Sequence, residues 1–172
     1  MAGAPVSSRR DDPLHDRLDE LLEEYRTHLR ASLDDLTEDE ARASLVPSLT
    51  TLLGLVKHVT YVEAVWFDQA VTGRTLKEIG VASTPDRSFI LRRDDTIASV
   101  LDAHARQCEA SRRNLADLAR DDVVTGGKGE RVVWALLLQV VRELAHHSGH
   151  ADILREQVLV RRADAESGPA SS

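Results

Sequence analysis

The chain has 172 residues, 42% hydrophobic and 30% charged, which fits one globular domain large enough to bury a sizeable core. Its net charge is -7 and no Lys/Arg cluster follows one face, so nucleic acid is not an expected partner. The single cysteine, Cys108, excludes an internal disulfide and suits a reducing cytoplasm. The N-terminus has no apolar core of signal-peptide length, and the longest uncharged run, Val132 to Val141, is about half a membrane span. A soluble cytoplasmic protein is expected, with no membrane segment.

Taken in order, residues 1–12 are small and polar and are read as a disordered N-terminus. A first helix follows Pro13, with Leu14, Leu18, Leu21, Leu22, Tyr25, Leu29, Leu33 and Leu36 as its apolar stripe. His15 and His28 lie among charged residues and read as solvated. Thr37 and Glu40 form a capping-box pattern for a short helical turn. A second helix is predicted from a Ser48 cap to about Thr72, stopped by Gly73. Its stripe, Thr51, Leu55, His58, Val62, Val65 and Gln69, turns His58 inward.

Residues 73–94 read as a loop of about twenty residues, long for a compact domain and long enough to cross back along helix 2. A third helix, capped by Asp94, Asp95 or Thr96, carries the stripe Ile97, Leu101, His104, Cys108, Ser111, Leu115 and Leu118. A Gly-rich loop over 120–130 precedes a fourth helix from Arg131 to about Val158. Residues 161–172 read as a disordered tail, and no strand-like alternation appears. The fold class is therefore all-α: a four-helix bundle over 13–160 with a long crossover between helices 2 and 3. Trp66 and Trp134 read as core residues, and Cys108 as packing.

The chemistry gathers in the fourth helix, where Glu143, His146, His147 and His150 interrupt an apolar stretch. Such groups are costly to bury unless paired or bound to a metal. Glu143 and His147 share one helical face at i, i+4, a spacing suited to two ligands of one ion, although such a pair also arises as a surface hydrogen bond. His146 lies off that face. His58, inward on helix 2, is the best third ligand, and His104 an outside candidate. Two imidazoles and a carboxylate match a catalytic zinc pattern with one open position, and nickel, iron or manganese would accept the same donors.

The stretches Thr51–Phe67, with His58 at its centre, and Glu143–Glu156 resemble the DinB-like superfamily. The nearest branch is the actinobacterial one of mycothiol-dependent maleylpyruvate isomerase-like and thiol S-transferase-like proteins. The resemblance spans roughly residues 14–160. It implies a four-helix bundle, often a homodimer, and a divalent metal held by His58, Glu143 and His147. It also implies a metal-activated thiol, such as mycothiol, that attacks an electrophile or adds to a double bond. Gly149 follows the family pattern, whereas His150 stands where many members have Gln, as a substrate contact, an exchangeable ligand or a neighbour of the ligands. Asp152 and Arg155 could orient the thiol or brace the ligands, or pair with each other on the surface. A metal-dependent hydrolase and a non-enzymatic ligand-binding or stress protein are the alternatives.

Overall fold

The computed structural model describes residues 13–167, so the expectation of disorder over 1–12 lies outside the described residues. The fold is all-α apart from one small hairpin. The long helices are α1 (Pro13–Ala31), α3 (Leu52–Glu63), α7 (Ile97–Leu115) and α8 (Val133–Glu166). Short helices α2 (Glu38–Ala41), α4 (Ala70–Thr72), α5 (Leu76–Ile79) and α6 (Pro85–Ser88) fill the connections. α3 continues into α4 through a π-helical segment, Ala64–Gln69.

Contacts between α3 and α7 advance together, from Lys57–Asp95 through Glu63–Cys108 to Phe67–Asn114. The two helices are therefore parallel, and the chain must cross back between them, as the long 73–94 segment implied. α1 and α8 are parallel by the same criterion, with His28–Asp152, Ser32–Arg155 and Asp35–Arg162 in register. The core between these helices is aliphatic, with Leu22, Leu29, Leu53, Leu55, Phe67, Leu136, Leu137 and Leu144 among its largest members.

The buried face of α1 is displaced from the expected leucine stripe. Its buried residues are His15, Leu18, Leu22, Arg26 and Leu29, while Leu14 is 54% exposed. The expectation that His15 is solvated is thus overturned. Its acidic neighbours occupy the adjacent outer face, and His15 itself falls in phase with Leu18 and Leu22. His28 is exposed and pairs with Asp152. α1 stops at Ala31, short of the stripe's end at Leu36, and the chain turns at Asp35 in a left-handed conformation (φ 60°). Arg155 and Arg162 cap this end by donating to the carbonyls of Ser32, Asp34 and Asp35.

Helix caps follow side-chain chemistry, with some shifts from expectation. The capping box of Thr37 and Glu40 forms. α3 is capped by Thr51, whose hydroxyl accepts from the Gly54 amide, and Ser48 instead lies in the turn after Pro47 and bonds Thr50. α7 is capped by Thr96. α8 runs past Val158 to Glu166, so the predicted tail is helical over 161–166; Arg162, paired with Glu40, helps hold it there. Trp134 is 43% exposed and is not a core residue. The expected absence of strands also fails: β1 (Val123–Val124) and β2 (Arg131–Val132) form a two-rung antiparallel ladder ahead of α8. Runs of two residues are too short for period-two patterning to register.

Between these strands, the glycine loop docks on the end of α4. The Gly126 and Gly127 amides donate to the Ala70 and Gln69 carbonyls at 3.0 and 2.9 Å. The Gln69 carbonyl also accepts from the Gly73 amide, so the loop adds a second donor at this helix end. A Cβ on Gly126 would sit 2.3 Å from the Ala70 oxygen, so no side chain fits there. Gly126→Ala is expected to force this loop off the helix end and to cost about 1–3 kcal/mol, read as a lower urea midpoint with unchanged slope.

Candidate functional site

His58 lies in the middle of α3, 6% exposed. Thr51 caps the helix, and Gly54 in its first turn lets the crossover backbone come close: a Cβ there would be 3.0 Å from the Phe89 carbonyl oxygen. Phe89 can then stack on the His58 ring with centroids 3.9 Å apart and planes 13° apart. From the same segment Ser88, which is buried, places its hydroxyl 2.7 Å from His58 Nδ1. The Ser88 hydroxyl spends its only proton on the Pro85 carbonyl. It must therefore accept from His58, and Nδ1 carries the ring proton. The lone pair is then on Nε2. Burial pushes the His58 imidazole down to about 4, and the neighbouring His147 adds to the effect, so the ring is neutral at pH 7. An imidazole held by one nitrogen in this way is in the tautomer a metal ligand needs.

His147 comes from α8 and meets His58 edge to face, with ring centroids 4.7 Å apart and planes at 77°. Burial lowers its pKa, and His150, 5.6 Å away between centroids, lowers it further, against the opposing pull of Glu143. Its Nδ1 is buried without a hydrogen-bond partner. Its Nε2 is 3.8 Å from Glu143 Oε2. Glu143 is half-buried, and its other oxygen accepts from Gln139 Nε2 at 2.8 Å. His146 and His150 are exposed.

Sequence reasoning thus named three residues that the fold brings to one place, where α3, α8 and the crossover meet. Their chemistry fits a divalent cation: one imidazole with a free Nε2, one with an orphaned Nδ1, and a carboxylate. Glu143 Oε2 and His147 Nε2 are 3.8 Å apart, but the three donors together do not close to within 4.8 Å of one another, and the other Glu143 oxygen faces Gln139 and Arg142. Two further α8 residues named from sequence, Asp152 and Arg155, face elsewhere. Asp152 bonds His28, and Arg155 bonds the Ser32 and Asp34 carbonyls, so both serve the α1–α8 seam and do not pair with each other. Sequence reasoning missed Ser88 and Phe89. Their only signal was Thr84-Pro85, a capped helix start within the supposed loop.

Among the described residues, one group of three donors does lie within 4.8 Å: Glu63, His104 and Cys108, all buried, a spacing that could hold a metal. Both carboxylate oxygens of Glu63, however, accept from Arg26 at 2.7 Å. A cation entering here would meet the guanidinium charge. Burial pushes the Cys108 thiol well above its ordinary range, and Glu63 pushes it further, which argues against a free thiolate nucleophile at neutral pH. This reading as packing agrees with the sequence. The cluster is a polar network within the core, in which Cys108 lies 3.6 Å from both Glu63 and His104 Nε2.

A family model described as Mycothiol-S-transferase matches residues 17–159, most of the chain. The chain belongs to this family, which is part of the DinB-like superfamily. No curated protein matches it. The mycothiol S-transferase match covers α1 through most of α8, and so includes His58, Glu143, His147 and the crossover. No helix among the described residues is long and apolar enough to cross a membrane.

The buried His104 gives a pH signature separate from the α8 cluster. Burial moves its imidazole from an ordinary 6.5 down to about 4. Between those values the unfolded chain takes up a proton that the native protein refuses. Stability from this residue is therefore full above pH 6.5 and is lost as the pH falls toward 4. Urea unfolding of His104→Gln across this window should show an acid slope smaller by up to about 1.4 kcal/mol per pH unit than that of the parent protein.

Proposed function

We propose that this protein is a metal-dependent thiol S-transferase of the DinB-like four-helix type, with His58, Glu143 and His147 as metal ligands and mycothiol as the thiol. The family membership supports the thiol and the transfer chemistry. The observation that carries the metal assignment is the pairing of His58, locked as the Nδ1–H tautomer by Ser88, with His147, whose Nδ1 has no partner. A divalent cation, such as zinc, would lower the pKa of a bound thiol so that a thiolate is available at neutral pH.

The chain's own residues supply the rest. Ser88 and the Pro85 carbonyl orient His58 and hold its proton at Nδ1. Phe89 shields one face of the ring from water. Burial keeps both imidazoles neutral and available as donors. Gln139 and Arg142 hold the Glu143 carboxylate beside His147. His150, exposed beside His147, would take the thiol proton and pass it to solvent. No protein nucleophile is needed, in keeping with a buried, protonated Cys108.

Metal analysis and a thiol-transfer assay test this together. The parent protein should retain a divalent metal and join mycothiol to a model electrophile, and His147→Ala should lose both. Equal metal content in the two proteins would refute the ligand assignment, and loss of metal in Cys108→Ala instead would move the ion to the core network. Turnover that needs metal but no thiol would establish a hydrolase.

Ser88→Ala makes a narrower prediction. It leaves every proposed ligand in place but frees His58 Nδ1, so metal affinity measured by chelator competition should fall by about 10–100-fold while the fold is kept.

A further inference from the structure

A sizeable cavity lies apart from the paired histidines. It has a volume of about 930 Å³ and lies between α3 and α7 beneath the crossover. His147 and Glu143 take no part in its walls, and its link with the candidate metal centre is Ser88, whose hydroxyl also holds His58.

Its lining charge runs against that of the protein. The chain carries a net charge of -7, yet four cations line this cavity, Lys57, Lys77, Arg87 and Arg92, against one carboxylate, Asp95. Asp95 is already committed. It pairs with Lys57 Nζ at 2.5 Å and accepts from the Arg92 amide at 2.6 Å. These contacts hold its pKa below the ordinary range against the opposing effect of burial, and the more distant Arg92 charge assists. Lys57 is spent on this pair and on the Ile90 carbonyl. Among the described residues the side chains of Lys77 and Arg87 make no hydrogen bond or ion pair, and that of Arg92 makes no hydrogen bond.

Elsewhere among the described residues Arg17, Arg26, Arg74, Arg106, Arg112 and Arg162 each meet a carboxylate. Three cations left over around one concavity raise the local concentration of anions, and guanidinium groups bind carboxylate and phosphate bidentately. The cavity is also part apolar, with Val81, Ala82, Val100 and Ala103 in its wall, and the Tyr61 ring, largely buried, adds a hydroxyl without a hydrogen-bond partner among the described residues. That combination suits a carbon skeleton bearing an anionic group better than a bare inorganic ion.

We propose that this cavity is a binding site for a small organic anion, a carboxylate or a phosphate ester, held by Arg87, Arg92 and Lys77. The inference stands apart from the thiol-transfer reading, because binding is measured without metal or turnover. Titration calorimetry of the full chain at low ionic strength, with malonate and with inorganic phosphate as separate probes, reads it directly.

Saturable binding of either probe is expected. Preference for malonate assigns the carboxylate class, and preference for phosphate assigns the phosphate-ester class. Arg87→Gln/Arg92→Gln should weaken binding by about tenfold or more for each guanidinium removed. Both side chains are exposed and form no hydrogen bond, so the melting temperature should hold; if it falls, Lys77→Gln alone serves as the test and should also weaken binding. Arg113→Gln, on the exposed flank of α7, should bind as the parent does. Absence of saturable binding to both probes would overturn the proposal. So would undiminished binding in the cavity variants, or an equal loss in Arg113→Gln.

Discussion

The arrangement depends most on a buried ion pair. Arg26 of α1 and Glu63 of α3 are 3% and 0% exposed, and they meet through two parallel hydrogen bonds of 2.7 Å. Removing one partner of such a pair leaves an uncompensated charge in the core, so neither helix can leave without the other. The network spreads outward from this pair. Glu23 accepts from Arg26 and from Arg112 of α7, and the Glu63 carboxylate also touches Cys108. Three helices are thereby fixed in register at one level of the fold. Aliphatic packing alone would leave that register less defined, since leucine and valine side chains interchange at modest cost.

That register matters for the candidate centre. Glu63 lies five residues beyond His58 on the same helix, so a helix locked at Glu63 also has its rotation set at His58. The π-helical turn begins at Ala64, immediately after the anchor, and absorbs the change of pitch away from the histidine. The crossover then closes the remaining side of the ring with Ser88 and Phe89. His58 is thus oriented by its own helix and by a segment thirty residues downstream, while α8 brings His147 edge-on to the same ring. The polar core network and the histidine pair are separate in kind: one is saturated with partners, and the other retains an unpartnered ring nitrogen.

The crossover therefore does more than connect two parallel helices. Its inner residues support His58, and its basic residues, Lys77, Arg87 and Arg92, border a cavity whose charge is opposite to that of the whole protein. A segment that reads as a long crossover loop carries two short capped helices.

The sequence by itself determined the helical class, the four long helices, the inward faces of His58, His104 and Cys108, and the shared face of Glu143 and His147. Each of these is a periodicity, and periodicity is set by backbone geometry within one element. The same rule nearly yielded more: Arg26 and His15 fall in phase with Leu18, Leu22 and Leu29, but a charge among leucines is assigned to solvent until a partner is in view. Only tertiary structure supplied that partner, Glu63, across 37 positions of sequence. It likewise decided that Arg155 and Asp152 serve α1, that Ser88 fixes the His58 tautomer, and that α8 continues to Glu166. Each of these depends on which surface a second element presents, and no spacing within one helix encodes that.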